Sequence, residues 1–191
     1  MTIKDTFQIA NNLMKAHGQA VINLRKYAVR DIKVGYAPTG GVAYPYTDKP
    51  EDIEAAKKVY FGFYNPMDQL HIFFRDLWQI LRKFLQSFFR IMPEAFYYGI
   101  KFLTERYPLP LYITENGMSC HDNISADGRV HDPNRITFLD SYIGAMQRAS
   151  DEGADVRGYF LWTFLDNFEW SDGYKQRFGI IYVDFTTQQR I

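Results

Sequence analysis

Two places in the chain put reactive side-chain types where a fold could hold them still. Glu115 directly follows the apolar run Leu111-Tyr-Ile-Thr, and Asn116-Gly117 turns the chain after it. A carboxylate at the C-terminal end of a parallel strand can be fixed at the mouth of a sheet or barrel, which is where such folds place their sites. So held, it could attack an anomeric carbon. Cleaving a glycosidic bond with retention would also need a second carboxyl about 5–5.5 Å away, acting first as acid and then as base. Taken by itself, a Glu at a strand end is more often a solvated loop carboxylate, so Glu115 needs company before it means anything.

The company is a loop dense in acids and rings, with Trp162, Asp166, Asn167, Glu169 and Trp170 inside nine residues. A carboxylate between indoles suits a sugar, because its oxygens accept from paired hydroxyls while the rings cover the apolar C–H face. A polar loop anchored by two tryptophans is the plainer alternative, and the residues alone do not choose. Phosphate is disfavoured, since no Lys or Arg falls between Arg157 and Lys175. No metal site is indicated. His17, His71, His121 and His131 show no ligand spacing with carboxylates or with Cys120. His121-Asp122 and His131-Asp132 belong in or beside the loop after Glu115, where they are expected to shape a rim.

The elements that must position these residues can be read from periodicity and punctuation. Phe7, Ala10, Met14, His17, Val21 and Leu24 recur at helical spacing from Thr6 to Arg25, and His17 on that stripe reads as a packed boundary histidine. Ile32-Lys-Val-Gly-Tyr-Ala predicts a short strand closed by Pro38-Thr-Gly-Gly. Pro50 to Tyr60 predicts a helix with Glu51 and Asp52 in its first turn. From Leu70 to Phe89 the apolar spacing predicts a long amphipathic helix whose polar side carries Arg75, Arg82, Lys83 and Arg90. Burial against the domain is its expected role, with a membrane-surface or partner-binding helix as the sharper alternative. Pro93 opens another helix, Glu94 to Tyr107. Leu111 to Thr114 is a strand, Asp132-Pro133 caps and starts a helix running to Gly153, Val156 to Trp162 is a strand, and Phe178 to Asp184 a last one. Strands joined by helices argue for an α/β fold with a parallel sheet.

The bulk numbers exclude some classes. Lys plus Arg equals Asp plus Glu, 22 each, so there is no basic field for nucleic acid. Nearly half the 191 residues are apolar, with 16 Phe, 14 Tyr and 3 Trp, so a buried core is expected and disorder is not. The lone Cys120 allows no internal disulfide and fits a reducing compartment. The opening MTIKDTFQIANN shows no leader pattern and no run of about 18 apolar residues occurs, so a soluble, cytoplasmic protein is expected.

The motifs together resemble glycoside hydrolase family 1, of the β-glucosidase type. Leu111-Tyr-Ile-Thr-Glu-Asn-Gly is similar to the family's nucleophile motif. Gly158-Tyr-Phe-Leu-Trp-Thr-Phe-Leu-Asp-Asn-Phe-Glu-Trp-Ser-Asp-Gly-Tyr and Arg177-Phe-Gly-Ile-Ile-Tyr-Val-Asp resemble the last barrel strand and the segment after it, and Asp132-Pro-Asn-Arg-Ile resembles the helix between. The resemblance implies Glu115 as nucleophile, Glu169 binding sugar hydroxyls at the nonreducing end, Trp170 binding or stacking on the same ring, and Trp162 as the platform beneath it. It implies no organic cofactor, and an unphosphorylated β-glucoside or β-galactoside as substrate. It further implies a fold class of partial (β/α)8 TIM barrel, a C-terminal half-barrel with parallel strands and an extra amphipathic helix.

Three departures shape the expectation. No Thr-Phe-Asn-Glu-Pro motif is present, so the family's acid/base glutamate is missing with the early strands. The sixth strand, with its Asn-Tyr-Tyr pattern, is expected between Tyr64 and Pro93, and the amphipathic helix stands there instead. The chain stops at Ile191, before the usual closing helix. The reading is one incomplete domain: 1–65 as fourth helix, fifth strand and following helix, 66–92 as the non-family helix, and 93–191 as the nucleophile and sugar-binding region. A closed barrel typically needs about 250 residues, so open sheet edges are expected to associate with another copy or with a complementing barrel half. Two readings follow: a retaining hydrolase of terminal β-D-glycosides acting through a covalent intermediate on Glu115 and impaired alone, or an inactive fragment that folds, associates or binds sugar without turnover.

Overall fold

The structure is a computed structural model that describes residues 2–37, 43–63 and 91–191. Four helices are described: α1 Ile3–Tyr27, α2 Pro50–Phe63, α3 Pro93–Arg106 and α4 Pro133–Asp151. There are two strands, β1 Leu111–Asn116 and β2 Val156–Leu161, and a 3-10 turn, Trp170–Asp172. β1 and β2 pair in parallel, with α4 as the crossover between them. That is the α/β unit expected from the alternation of elements. The expected helix Leu70–Phe89 lies outside the described residues.

Local chemistry explains where the helices begin. Thr2 caps α1 through a reciprocal box with Asp5, Thr2 Oγ1 accepting from the Asp5 amide at 3.2 Å and Asp5 Oδ2 from the Thr2 amide at 2.7 Å. Asp132 caps α4 by accepting from the Arg135 amide at 3.2 Å, with Pro133 following it at the first helical position. Gly153, at φ +100°, turns the chain out of α4 toward β2. α1 forms as its spacing predicts, but its stripe is only partly covered: Met14 and Leu24 are exposed, whereas Phe7, Val21 and His17 are half-buried, the His17 ring 5.4 Å from that of Tyr36.

Two apolar clusters hold the described fold. Ala56 and Tyr60 of α2 close on Phe102 of α3, with Tyr98 and Leu103 around them. Ile100 of α3 and Ala149 and Ala154 at the end of α4 pack under Leu111, Ile113 and Val156. One face of the parallel pair is thus covered by α3 and α4. The other face is open: Tyr112 is 50% exposed and Phe160 58%.

Two of the four predicted strands do not form. Ile32–Ala37 is irregular, and Phe178–Asp184 makes only isolated bridges, Leu165 with Ile181 and Val183 with Arg190. The reason is partnership, because a strand exists only by pairing with another. Instead, residues 178–181 are tied to the loop after β2, through Thr163 N to Phe178 O at 3.1 Å, Ile180 N to Thr163 O at 3.0 Å and Ile181 N to Phe164 O at 3.1 Å. No described helix is long and apolar enough to cross a membrane.

Candidate active site

The parallel register brings the two predicted constellations to one end of the sheet. Asn116 pairs with Leu161, and the Trp162 amide donates to Asn116 O at 3.0 Å. Glu115 and Trp162 therefore emerge side by side where β1 and β2 end. Glu115 is exposed there. The turn after it is pressed against Trp162: a Cβ on Gly117 would lie 1.6 Å from Trp162 O and 2.7 Å from its carbonyl carbon. Only a residue without a side chain permits that approach. Tyr159 in β2 donates its hydroxyl to Asn116 Oδ1 at 2.7 Å, orienting the residue beside Glu115, and burial pushes its own pKa up to about 12.

The loop after β2 bends back over this end. The Trp162–Thr163 peptide bond is cis. Trp162 Nε1 donates to Glu169 Oε2 at 3.4 Å, so the indole and the carboxylate are held together. The Glu169 amide bonds Gly173 O at 2.7 Å, and Glu169 O accepts from Asp172 at 2.8 Å, which makes the 3-10 turn a tight hook. Trp170 rides on that hook at φ 34°, an uncommon value for a non-glycine residue, and the residue is 83% exposed. A ring presented to solvent and a carboxylate braced on an indole are the parts a pyranose needs: an apolar face and an acceptor pair.

Asp166, which the sequence grouped with these residues, is turned the other way. Its side chain is 0% exposed and accepts from Arg177 Nη1 at 2.5 Å, Gly179 N at 3.0 Å and Val183 N at 3.2 Å. Asn167 donates to Leu165 O at 3.0 Å and shapes the loop. Asp166 braces the loop from behind and does not line the rim.

A second internal brace holds the loop after Glu115. Arg135 is 3% exposed. Its Nε donates to Met118 O at 3.1 Å, Nη1 to Asp122 Oδ1 at 3.1 Å and Asp132 Oδ2 at 2.5 Å, and Nη2 to Asp122 Oδ2 at 2.8 Å and Arg177 O at 2.5 Å. Burial works to lower its pKa, but the hydrogen bonds and charges of Asp122 and Asp132 prevail and hold the guanidinium above its ordinary value. Cys120, Asp122 and Asp132 bring ligand atoms within 4.8 Å of one another. The two carboxylates are already committed to Arg135, so the cation in this cluster is a guanidinium. Burial raises the Cys120 thiol above its ordinary value, with Arg135 opposing and Asp132 and Asp122 adding. Sequence reading missed Arg135, Arg177 and Tyr159. The signals were their places in the quoted motifs, which assigned them no role, and the spacing of Asp132 and Arg135, which also fits a surface pair.

A family model for glycosyl hydrolase family 1 matches residues 81–191. The chain belongs to glycosyl hydrolase family 1. It is 32% identical to β-glucosidase A of Thermotoga maritima over 97% of its own length and 53% of that protein. It is 48% identical to a bifunctional β-D-glucosidase/β-D-fucosidase of Bifidobacterium breve over 53% of this chain and 23% of the relative. Among solved structures, the T. maritima β-glucosidase in complex with castanospermine superposes with a TM-score of 0.53 at 51% identity, covering 53% of this chain and 23% of that one. The chain thus spans about half the length of the T. maritima relative. The alignment with that relative runs over 238 positions although the chain has 191 residues, so the relative carries an internal stretch with no counterpart here.

Proposed function

We propose that the chain is the C-terminal part of a retaining β-glycosidase acting on terminal β-D-glucosides or β-D-galactosides, with Glu115 as the carboxylate that attacks the anomeric carbon. The observation that carries this reading is the joint placement of Glu115 and Trp162 at one end of a parallel strand pair, with Glu169 hydrogen-bonded to the Trp162 indole. In the first step Glu115 displaces the leaving group and forms a glycosyl ester. In the second, water releases the sugar from the opposite face. Glu169 accepts from sugar hydroxyls, Trp162 lies beneath the ring, and Trp170 covers its exposed side. The stretch from Gly158 to Tyr174, which contains no Lys or Arg to hold a phosphate, and the Glu169-Trp170 pair favour an unphosphorylated sugar.

The family's fourth-strand acid/base motif has no match in this chain, and a positioned proton donor is worth about 10²–10⁴-fold. The chain alone is therefore impaired, and full turnover requires a complementing barrel half that meets the open sheet edges. A 2-deoxy-2-fluoro aryl glucoside with a good leaving group dispenses with that proton. It is expected to leave a mass adduct on Glu115, faster when the N-terminal half of a family 1 β-glucosidase is added, and none on Glu115→Gln. No adduct under conditions that label a full-length relative refutes the proposal. The second reading is a chain that folds and associates without turnover, and the solvent-facing rings of Tyr112 and Phe160 favour it. Hydrolysis of unactivated cellobiose, lost in Glu115→Gln, would eliminate it.

A further inference from the structure

The loop after Glu115 and the loop carrying Trp162 to Trp170 leave the sheet separately and meet again at one residue. The Arg177 carbonyl accepts from the Cys120 amide at 2.9 Å and from Arg135 Nη2 at 2.5 Å, so its main chain belongs to the network that holds the Glu115 loop. Its side chain belongs to the other network: Nη1 donates to Asp166 Oδ2 at 2.5 Å and to Val183 O at 2.9 Å, and Asp166 lies three residues before Glu169. The guanidinium lies over the rings of Tyr182 and Phe185, at 4.1 and 4.5 Å, which fixes its plane.

We propose that Arg177 is a positioning residue that locks the Glu115 loop to the Glu169 loop, so that nucleophile and sugar grip are held at one spacing. The functional meaning rests on the reading of Glu115 and Glu169 given above, whereas the mechanical coupling does not. A fully buried carboxylate with three donors has one favourable geometry, and a planar guanidinium stacked on two rings has little freedom to adapt. A displacement at Asp166 must therefore reach the Arg177 carbonyl, and through it Cys120.

The test uses the full chain, with amide hydrogen exchange as the readout. Asp166→Asn keeps the shape and removes the charge. It is expected to speed exchange of the Cys120 amide at least tenfold while the amides of α4 keep their rates. In the reverse direction, Asp122→Asn is expected to speed the Gly179 and Val183 amides. Arg177→Lys, which keeps the charge and loses the stacked plane, should keep the fold but lose the Cys120 protection. Unchanged Cys120 exchange in Asp166→Asn overturns the proposal, as does an equal rise throughout α4, which marks general loosening. If Asp166→Asn does not fold, Asp122→Asn reads the same coupling; failure of both to fold assigns the carboxylates to the whole fold and also overturns it. Fluoroglucoside labelling of Glu115, expected to slow at least tenfold in Asp166→Asn, separates the two questions. A parent chain that takes no label refutes the reading of Glu115 and leaves the exchange result standing.

Discussion

Replacing Arg135 by methionine removes a cation that is 3% exposed and makes five side-chain hydrogen bonds, while leaving most of its apolar stem volume in place. What remains is the larger problem: Asp122, with a side chain 5% exposed, and Asp132 keep charges for which no other ion-pair partner is found among the described residues. Breaking a buried pair by removing one partner costs about 3–5 kcal/mol. For a chain of this size each kcal/mol moves Tm by about 2–4 °C, so a fall of roughly 6–20 °C is expected. The triple variant Arg135→Met, Asp122→Asn, Asp132→Asn removes the stranded charges, and Asn at position 132 preserves the helix cap. It should be more stable than Arg135→Met alone, by on the order of 2 kcal/mol. Urea and thermal unfolding followed by circular dichroism measure both. Arg157→Met, at an exposed pair with Asp155, serves as control and should move Tm far less. An Arg135→Met variant within about 1 kcal/mol of the parent, or a triple variant less stable than the single, would refute the argument.

Gly117→Ala forces a Cβ into the Trp162 carbonyl and should destabilise by about 1–3 kcal/mol or more, with slower fluoroglucoside labelling; an unchanged 5-fluorotryptophan signal from Trp162 would count against the contact. Phe102→Ala empties the cluster between α2 and α3 and should cost about 3–5 kcal/mol in urea unfolding. Tyr159→Phe keeps the ring but frees Asn116 Oδ1, which should cost about 1 kcal/mol and slow labelling at Glu115. Burial pushes Tyr97, Tyr98 and Tyr159 up to about 12 from 10.0, helped for the first two by hydrogen bonds to Glu152 and Asp48. Between pH 10 and about 12 the unfolded chain sheds these protons while the folded chain keeps them, so their contribution is whole below pH 10 and is lost as pH rises through the folded values. Phenolate absorbance should show them ionising late, together with a loss of stability over that window; titration near pH 10 would refute the burial.

Sequence alone determined what local chemistry decides. The helix starts at Asp132-Pro133 and Pro93, the apolar strands at Leu111 and Val156, and the ordered motifs around Glu115 and Glu169 are all legible, because capping, periodicity and motif spacing act over a few residues. Only tertiary structure decided the rest. Ile32–Ala37 and Phe178–Asp184 have strand patterns, yet strands depend on partners that a pattern cannot supply. Asp166 and Glu169 look alike three residues apart, yet one is buried on Arg177 and the other braced on Trp162, since burial is a property of what folds over a residue. Arg135 and Arg177 stand in motifs legible in the sequence, but their roles appear only when Asp122 and Asp166 close around them.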